Sequence, residues 1–162
     1  MRDEGADTAT FEQWYADAHP RIVRALAVTT GEPDVAADAT AEAFSRAFER
    51  WDRVSAMSNR DGWVYRVAVN DAKRRLSRWR RVLPSRDRAR VASDPADLIP
   101  DRELWDAVRS LHDRQREAIA LRYLAGLDER GVAAAMGTTE GAASSTLSTA
   151  RARLREILEE GR

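Results

Sequence analysis

Residues 131–156 read GVAAAMGTTEGAASSTLSTARARLRE, and this stretch decides the fold of the second half of the chain. Gly137 can adopt the left-handed backbone conformation that ends a helix. Thr138 or Thr139 can cap the helix that follows, and Glu140 lies favourably near its positive end. The stretch therefore predicts two short helices joined by a tight turn, the frame of a helix-turn-helix motif.

The second of these helices has an apolar edge and a polar outer face. Leu147, Ala150 and Leu154 recur at helical spacing, so we expect this edge to face the neighbouring helix. Five Ser or Thr residues between 144 and 149 stand where a DNA-binding helix usually carries Lys and Arg. Hydroxyls release no counterions, so such a helix would bind DNA weakly by itself. An ordinary helical hairpin with a polar outer face explains this stretch equally well.

The composition excludes several functional classes. The chain has 162 residues, 43% of them hydrophobic, and no cysteine, so it can form neither a disulfide nor a thiolate metal site. His19 and His112 have no partner at ligand spacing, so we expect no metal. Phosphate-binding loops and nucleophile motifs are absent, and we predict no catalytic site and no cofactor. The acidic start and the lack of a long apolar run predict a cytoplasmic protein without membrane insertion.

The formal net charge of zero hides a strong polarity along the chain. Acidic residues recur from Asp3 to Glu49, whereas Asp87 is the one acid between Lys73 and Arg90. The basic residues of that block are Lys73, Arg74, Arg75, Arg78, Arg80, Arg81, Arg86, Arg88 and Arg90. Such a block indicates a nucleic-acid surface, although a solvated basic linker is the alternative.

Apolar residues recur at spacings of three and four almost throughout, and no segment alternates with a period of two. Residues 84–100 break this pattern with three prolines and read as a flexible linker. The fold prediction is therefore all-α, with two small helical modules at residues 1–83 and 101–162 joined by this linker.

The sequence from Leu111 to Glu156 resembles region four of bacterial RNA polymerase sigma factors, especially the two-region factors of the extracytoplasmic-function group. The RQRE, LRY and GL segments, Gly137 and the ARARLRE tail match the pattern of that family. The resemblance implies that this module grips the polymerase flap and reads the upstream promoter element. The residues expected to contact that element are Thr139, Ser144, Ser145, Thr146, Ser148, Thr149, Arg151 and Arg153.

The first module resembles region two of the same family. The sequence from Asp34 is similar to the helix that docks on the polymerase clamp, which implies that Asp38, Glu42, Phe44 and Arg46 bind core polymerase. The sequence from Gly62 is similar to the helix that captures the melted downstream element, where bases can stack on aromatic rings. Its expected contacts are Trp63, Tyr65, Arg66, Asn70, Lys73, Arg74, Arg75, Arg78 and Trp79. The segment 52–61 is expected to form a pocket for an extruded base.

The implied partners are core RNA polymerase and promoter DNA, both as duplex and as melted single strand. An anti-sigma protein often holds members of this group inactive and is a further partner to test. The chain departs from the family at Gly131, where a Glu is usual, and at the hydroxyl positions of the last helix. Region four either reads DNA through hydroxyls, DNA shape and arginine–phosphate contacts, or has become a protein-interaction module. A stand-alone helix-turn-helix regulator and a pure protein adaptor are the alternatives for the whole chain.

Overall fold

The computed structural model describes residues 4–82 and 99–161, with side chains from residue 10 onward. These ranges contain helices and no strand, which confirms the all-α prediction. The predicted linker up to residue 98, with Arg86, Arg88 and Arg90, lies outside them. The first part of the chain forms α1 (Glu4–Thr30), α2 (Pro33–Glu49), α3 (Trp51–Val54) and α4 (Arg60–Val82). The second part forms α5 (Arg102–Ser110), α6 (Asp113–Tyr123), α7 (Glu129–Met136) and α8 (Glu140–Glu160).

Small side chains bring the helices of the first module close together. Ala36, Ala39, Ala43 and Ala47 are all fully buried on one side of α2, which packs against both α1 and α4. The apolar stripe that continues to Trp51 predicts one helix, but the helix breaks at Arg50, where φ is −118°. The break turns Trp51 onto Trp14, with the ring centroids 5.4 Å apart.

The turn between α7 and α8 has the geometry that the sequence predicts. Gly137 ends α7 in the left-handed region with φ 64°. The hydroxyl of Thr139 accepts a hydrogen bond from the backbone N–H of Ala142 at 3.2 Å and so caps α8. Leu147 and Ala150 are fully buried against the preceding helices, as expected. The helix-turn-helix frame is therefore present.

The two modules pack directly against each other. Helix α1 contacts α6, and α4 contacts α7, so that buried residues of both modules belong to one continuous hydrophobic core. Among the described residues, no helix combines the length and apolar character needed to cross a bilayer. The packing places the predicted downstream-binding helix α4 beside the first helix of the helix-turn-helix frame.

Candidate nucleic-acid interface

One face of α4 is exposed and basic. Four of its residues follow each other at intervals of four, and the fifth lies three positions after the second, so they project from one side of the helix. None of the five is buried by either module. This face is formed by Arg66, Asn70, Lys73, Arg74 and Arg78. Cations and an amide along one helix face can hold the phosphates and base edges of a DNA strand.

Arg74 and Arg75 both form ion pairs with Asp71 of the same helix, and the pair of Arg75 is the shorter. Nε of Arg75 donates to Oδ2 of Asp71 at 2.6 Å, and Nη1 of Arg75 lies 4.0 Å from Oδ2 of Asp38 on α2. The hydrogen bond that Arg75 donates to the buried carboxylate of Asp71 raises the pKa of Arg75. That Arg75 binds DNA stays a prediction; in this structure its guanidinium pairs with Asp71 of α4 and lies beside Asp38 of α2.

Tyr65 is fully buried, which excludes base stacking in this conformation. Its hydroxyl lies 3.2 Å from Oε1 of Glu117 on α6 and 3.3 Å from Oγ1 of Thr29 on α1. Burial, together with the nearby charge of Glu117, raises the pKa of Tyr65 well above its usual value. The sequence pattern could not reveal this, because the position of α6 follows from tertiary packing. Trp63 and Trp79 remain partly exposed and keep accessible ring surface.

The predicted polymerase-binding helix α2 has a charged outer face. Asp38 is 72% exposed, and Glu42 accepts a hydrogen bond from Nε of Arg46 at 3.0 Å one turn further along. Phe44, by contrast, is 2% exposed and packs 4.9 Å from Trp14, measured between ring centroids. The direct polymerase contact expected of Phe44 is therefore corrected to a core role.

Phe48 is a surface residue that the sequence analysis missed. It belongs to the apolar stripe of α2 and would be expected in the core, yet it is 52% exposed. Its ring packs edge-on against Phe11 with the centroids 5.0 Å apart, beside the half-exposed ring of Tyr15. An aromatic patch next to the charged face of α2 is typical of a protein-binding surface.

The predicted base pocket lies at the boundary between the modules. Residues 58–62 line a cavity of about 390 Å³ together with residues 126–128 and Gly131 of the second module. Asp61 is fixed there, since it accepts hydrogen bonds from Nε1 of Trp14 at 2.6 Å and from Nη2 of Arg21 at 3.0 Å. In this arrangement the second module borders the end of the segment 52–61, and most residues of that segment remain exposed or partly exposed.

The hydroxyls of α8 divide into two groups. Thr146 donates to the carbonyl of Ala142 at 2.9 Å, and Thr149 donates to the carbonyl of Ser145 at 3.0 Å. The hydroxyl protons of Thr146 and Thr149 are thus bonded within α8 itself. The hydroxyl oxygen of Thr139 is occupied as the N-cap of the same helix. The hydroxyls that make no hydrogen bond to any described residue belong to Ser144, Ser145 and Ser148. These three serines retain both donor and acceptor capacity for a partner.

Two of the three arginines of α8, Arg151 and Arg153, have partners at the surface. Nε of Arg151 donates to the hydroxyl of Tyr123 at 2.8 Å, and its guanidinium lies over that ring. Arg153 pairs with Glu156 at 3.1 Å, with both side chains about half exposed. Because exposed pairs of this kind contribute little stability, a DNA phosphate can replace Glu156 as the partner of Arg153.

An apolar groove of about 690 Å³ lies between α1, α5, α6 and α8. Tyr123, 59% exposed, stands at its edge, and Arg151 and Arg155 supply the only cations of its lining among the described residues. The apolar lining consists mainly of Val28, Ile99, Leu104, Val108, Ile119, Leu124, Leu154 and Leu158. Leu154 was expected to face the neighbouring helix, and its apolar spacing gives no sign that it lines a groove. A concave apolar surface of this size is suited to binding a helix.

Within residues 4–82 and 99–161, no group of three or more His, Cys, Asp or Glu side chains is placed to hold a metal ion.

The chain is similar to bacterial sigma factors in both sequence and structure. A sequence model of sigma-70 region 4 matches residues 101–154. The RNA polymerase sigma-E factor of Streptomyces antibioticus is 31% identical, over 92% of this chain and 84% of its own length. The ECF RNA polymerase sigma-E factor of Escherichia coli is 32% identical, over 70% of this chain and 69% of its own. The sigma factor RpoE from Bartonella quintana, crystallised with the anti-sigma factor NepR, superposes with a TM-score of 0.71 and 25% identity, over 94% of this chain and 99% of that one.

Proposed function

This chain belongs to the ECF family of RNA polymerase sigma factors, and we propose that it binds core RNA polymerase, directs it to promoters and promotes melting of the DNA there. The observation that carries the proposal is the similarity to sigma factors over both modules, in the same order. Polymerase supplies the chemistry, and its presence in the cytoplasm places the action of this protein there. An anti-sigma protein is a further proposed partner, because a similar sigma factor was crystallised with one.

The proposed polymerase surface consists of the outer face of α2 and the aromatic patch beside it. Asp38 and Glu42 provide negative charge, and Phe48 provides apolar area that can be buried in a complex. A stand-alone DNA regulator would have no use for an acidic face on the module that also carries the basic α4. This acidic face is the feature that favours the polymerase-dependent function over the stand-alone alternative.

The proposed DNA contacts fall into two sets. The exposed face of α4, with the accessible edges of Trp63 and Trp79, is suited to the melted strand. Ser144, Ser145 and Ser148 on α8, helped by Arg153, are suited to the upstream duplex. Weak contacts by α8 suffice when polymerase holds the module beside the promoter, because tethering gives an effective concentration of about millimolar.

The groove beside α8 supports a second role for region four. Its apolar lining is suited to a protein helix, and we propose that it receives the polymerase flap, whether or not α8 also reads DNA. This role would survive if the serines of α8 contributed nothing to promoter choice.

The first test is binding of core RNA polymerase from the source organism. The double variant Asp38→Arg with Glu42→Arg should lose at least about tenfold in affinity, because reversed charges oppose the partner surface. Both carboxylates are substantially exposed, so the variant should keep its fold. Asp106→Arg makes the same kind of charge change on α5 and should bind normally. Equal binding by the double variant would refute the polymerase surface on α2, and absence of binding by the unmodified protein would refute the proposed function.

A further inference from the structure

We infer that Arg46 of α2 is a further contact for the phosphates of the melted strand, and that its ion pair with Glu42 keeps it from DNA until polymerase engages Glu42. This inference rests on the proposed function and links the polymerase surface of α2 to the strand-binding face of α4. The resemblance to region two implies instead that Arg46 binds polymerase directly, so the two roles make different predictions.

Arg46 lies at a cleft between α2 and α4, with a volume of about 460 Å³. The residues that line the cleft are Arg46, Asp71, Arg74, Ser77, Arg78 and Arg81. Four of these six are arginines, so the cleft collects positive charge from both helices. Because a guanidinium can bind two phosphate oxygens through parallel N–H bonds, such a cleft is suited to the backbone of a nucleic acid.

The carboxylate in this lining does not neutralise the cleft. Asp71 is 7% exposed, and its oxygens lie 2.6 Å from Nε of Arg75 and 3.6 Å from Nη2 of Arg74. Arg78 and Arg81 form no ion pair with any carboxylate in the part of the chain that the structure describes. Like charges one turn apart on a helix repel each other, so an anion in the cleft would relieve a repulsion that the free protein carries.

The cleft continues the exposed basic face of α4. Arg74 and Arg78 belong both to that face and to the lining of the cleft. A strand that lies along the face can therefore extend its backbone into the cleft, and Arg46 is the residue through which it reaches α2. Phosphate contacts fix the position of a strand and carry no sequence information, so Arg46 should contribute affinity and register, not the choice of base.

The ion pair between Arg46 and Glu42 is the contact that polymerase can change. Nε of Arg46 lies 3.0 Å from Oε1 of Glu42, and the two side chains are 39% and 44% exposed. Exposed pairs one turn apart contribute little stability, so another partner can separate them. Glu42 belongs to the acidic face proposed to dock on polymerase, and docking there leaves the guanidinium of Arg46 open to a phosphate. Polymerase binding and strand binding thus favour each other through this pair.

The salt dependence of DNA binding tests the role of Arg46. The complex with core polymerase is titrated with the labelled single strand of the downstream element, from a promoter that the unmodified protein uses. For single-stranded DNA, log K changes with log salt by a slope of about −0.7 for each phosphate neutralised. Arg46→Gln should therefore make the slope shallower by about 0.7, and its affinity for core polymerase should not fall. Gln forms helices nearly as well as Arg, so α2 should keep its fold.

Glu42→Gln tests the restraint on Arg46 in the free protein, with labelled oligothymidylate as the probe. Without its carboxylate partner, Arg46 should bind a phosphate, and the slope should steepen by about 0.7. The same substitution in the Arg46→Gln background should leave the slope unchanged, which separates the release of Arg46 from a general loss of negative charge. At saturating core polymerase, Glu42→Gln should not change the slope, because Arg46 is then already released.

The matched control for Glu42→Gln is Asp106→Asn. It removes the carboxylate of another exposed pair one turn apart, Arg102 with Asp106 on α5, where both side chains are more than half exposed. This pair does not line the cleft, so the variant should give the slope of the unmodified protein.

An unchanged slope for Arg46→Gln would overturn the strand contact, and a loss of affinity for core polymerase in that variant would return Arg46 to the polymerase surface. The restraint by Glu42 would be overturned if Glu42→Gln did not steepen the slope of the free protein, or steepened it equally without Arg46. Failure of the proposed function gives a different pattern. In that case the unmodified protein binds no core polymerase, while the measurements on the free protein can still be made.

Discussion

Two side chains of α4 form hydrogen bonds or ion pairs with residues of other helices. Tyr65 lies on α4, the helix proposed to bind the melted strand, but its hydroxyl is hydrogen-bonded to Glu117 and Thr29 from two other helices. Arg75 likewise lies in a basic run, but it pairs with Asp71 and lies beside Asp38. The resemblance to region two assigned both residues to DNA. The partner of Tyr65 on α6 is 52 positions away, and the sequence around Tyr65 does not reveal it.

Replacement Tyr65→Phe tests the role of the buried hydroxyl. The ring still fills its site, but Glu117 loses a hydrogen-bond donor, which should lower the free energy of unfolding by about 1 kcal/mol. Urea denaturation measures this difference. Tyr15→Phe, which removes an equivalent hydroxyl from a half-exposed ring, should change stability far less. Equal effects of the two substitutions would contradict the proposed importance of the Tyr65 bond.

The burial of His19 should make the stability of the fold depend on pH. Burial lowers the pKa of His19 below its ordinary value of 6.5, so the unfolded chain takes up a proton at a higher pH than the folded protein does. Stability should therefore be complete above about pH 6.5 and fall as the pH is lowered towards 5. Chemical denaturation at both pH values should show a smaller loss for His19→Gln than for the unmodified protein. The same substitution at His112, which is exposed, should leave the loss unchanged.

At the scale of elements, residue spacing and capping residues predicted where the helices lie, but they predicted less well which side of each helix is buried. Gly137 and Thr139 define the α7–α8 turn through their own backbone and side-chain preferences, and the structure has both as predicted. Phe44 and Phe48 belong to one apolar stripe, yet one is buried and the other is exposed. Which of two equivalent residues faces the core depends on the position of α1, and no periodicity contains that information.

The free serines of α8 are expected to contribute to promoter choice. Replacing both Ser144 and Ser145 with Ala removes two free hydroxyls and slightly favours the helix, so folding should be retained. Discrimination among promoters should fall by about tenfold, the effect of losing one good base contact. Transcription from a panel of templates that differ in the upstream element measures it, with polymerase binding as the internal control. Unchanged preferences would instead favour region four as a protein-binding module.

At the scale of the whole molecule, the two modules form one body with a shared core. The sequence predicted the modules and their order, but it gave no sign of their contact. The contact could not be predicted because it centres on Gly62, and a single glycine in a helical segment is compatible with many environments. Its proximity to Gly131 depends on where the second module lies.

Substitution Gly62→Leu should separate the modules. The new side chain has no room against Ala134 and Ala135, whereas α4 itself gains a better helix former. Small-angle X-ray scattering should show a larger radius of gyration with unchanged helix content by circular dichroism. Gly141→Leu, at a helical glycine with open space around it, is the matched control and should leave the radius unchanged. A compact Gly62→Leu variant would show that the modules associate without this contact.

The shared core also gives the molecule a response to temperature. Separating the modules transfers apolar residues such as Val132 and Ala133 of α7 from the core into water, and exposure of apolar surface carries a positive heat-capacity change. The free energy of opening is therefore a curved function of temperature with a maximum, and it declines on cooling as well as on heating. Cooling below that maximum should therefore weaken the association of the two modules.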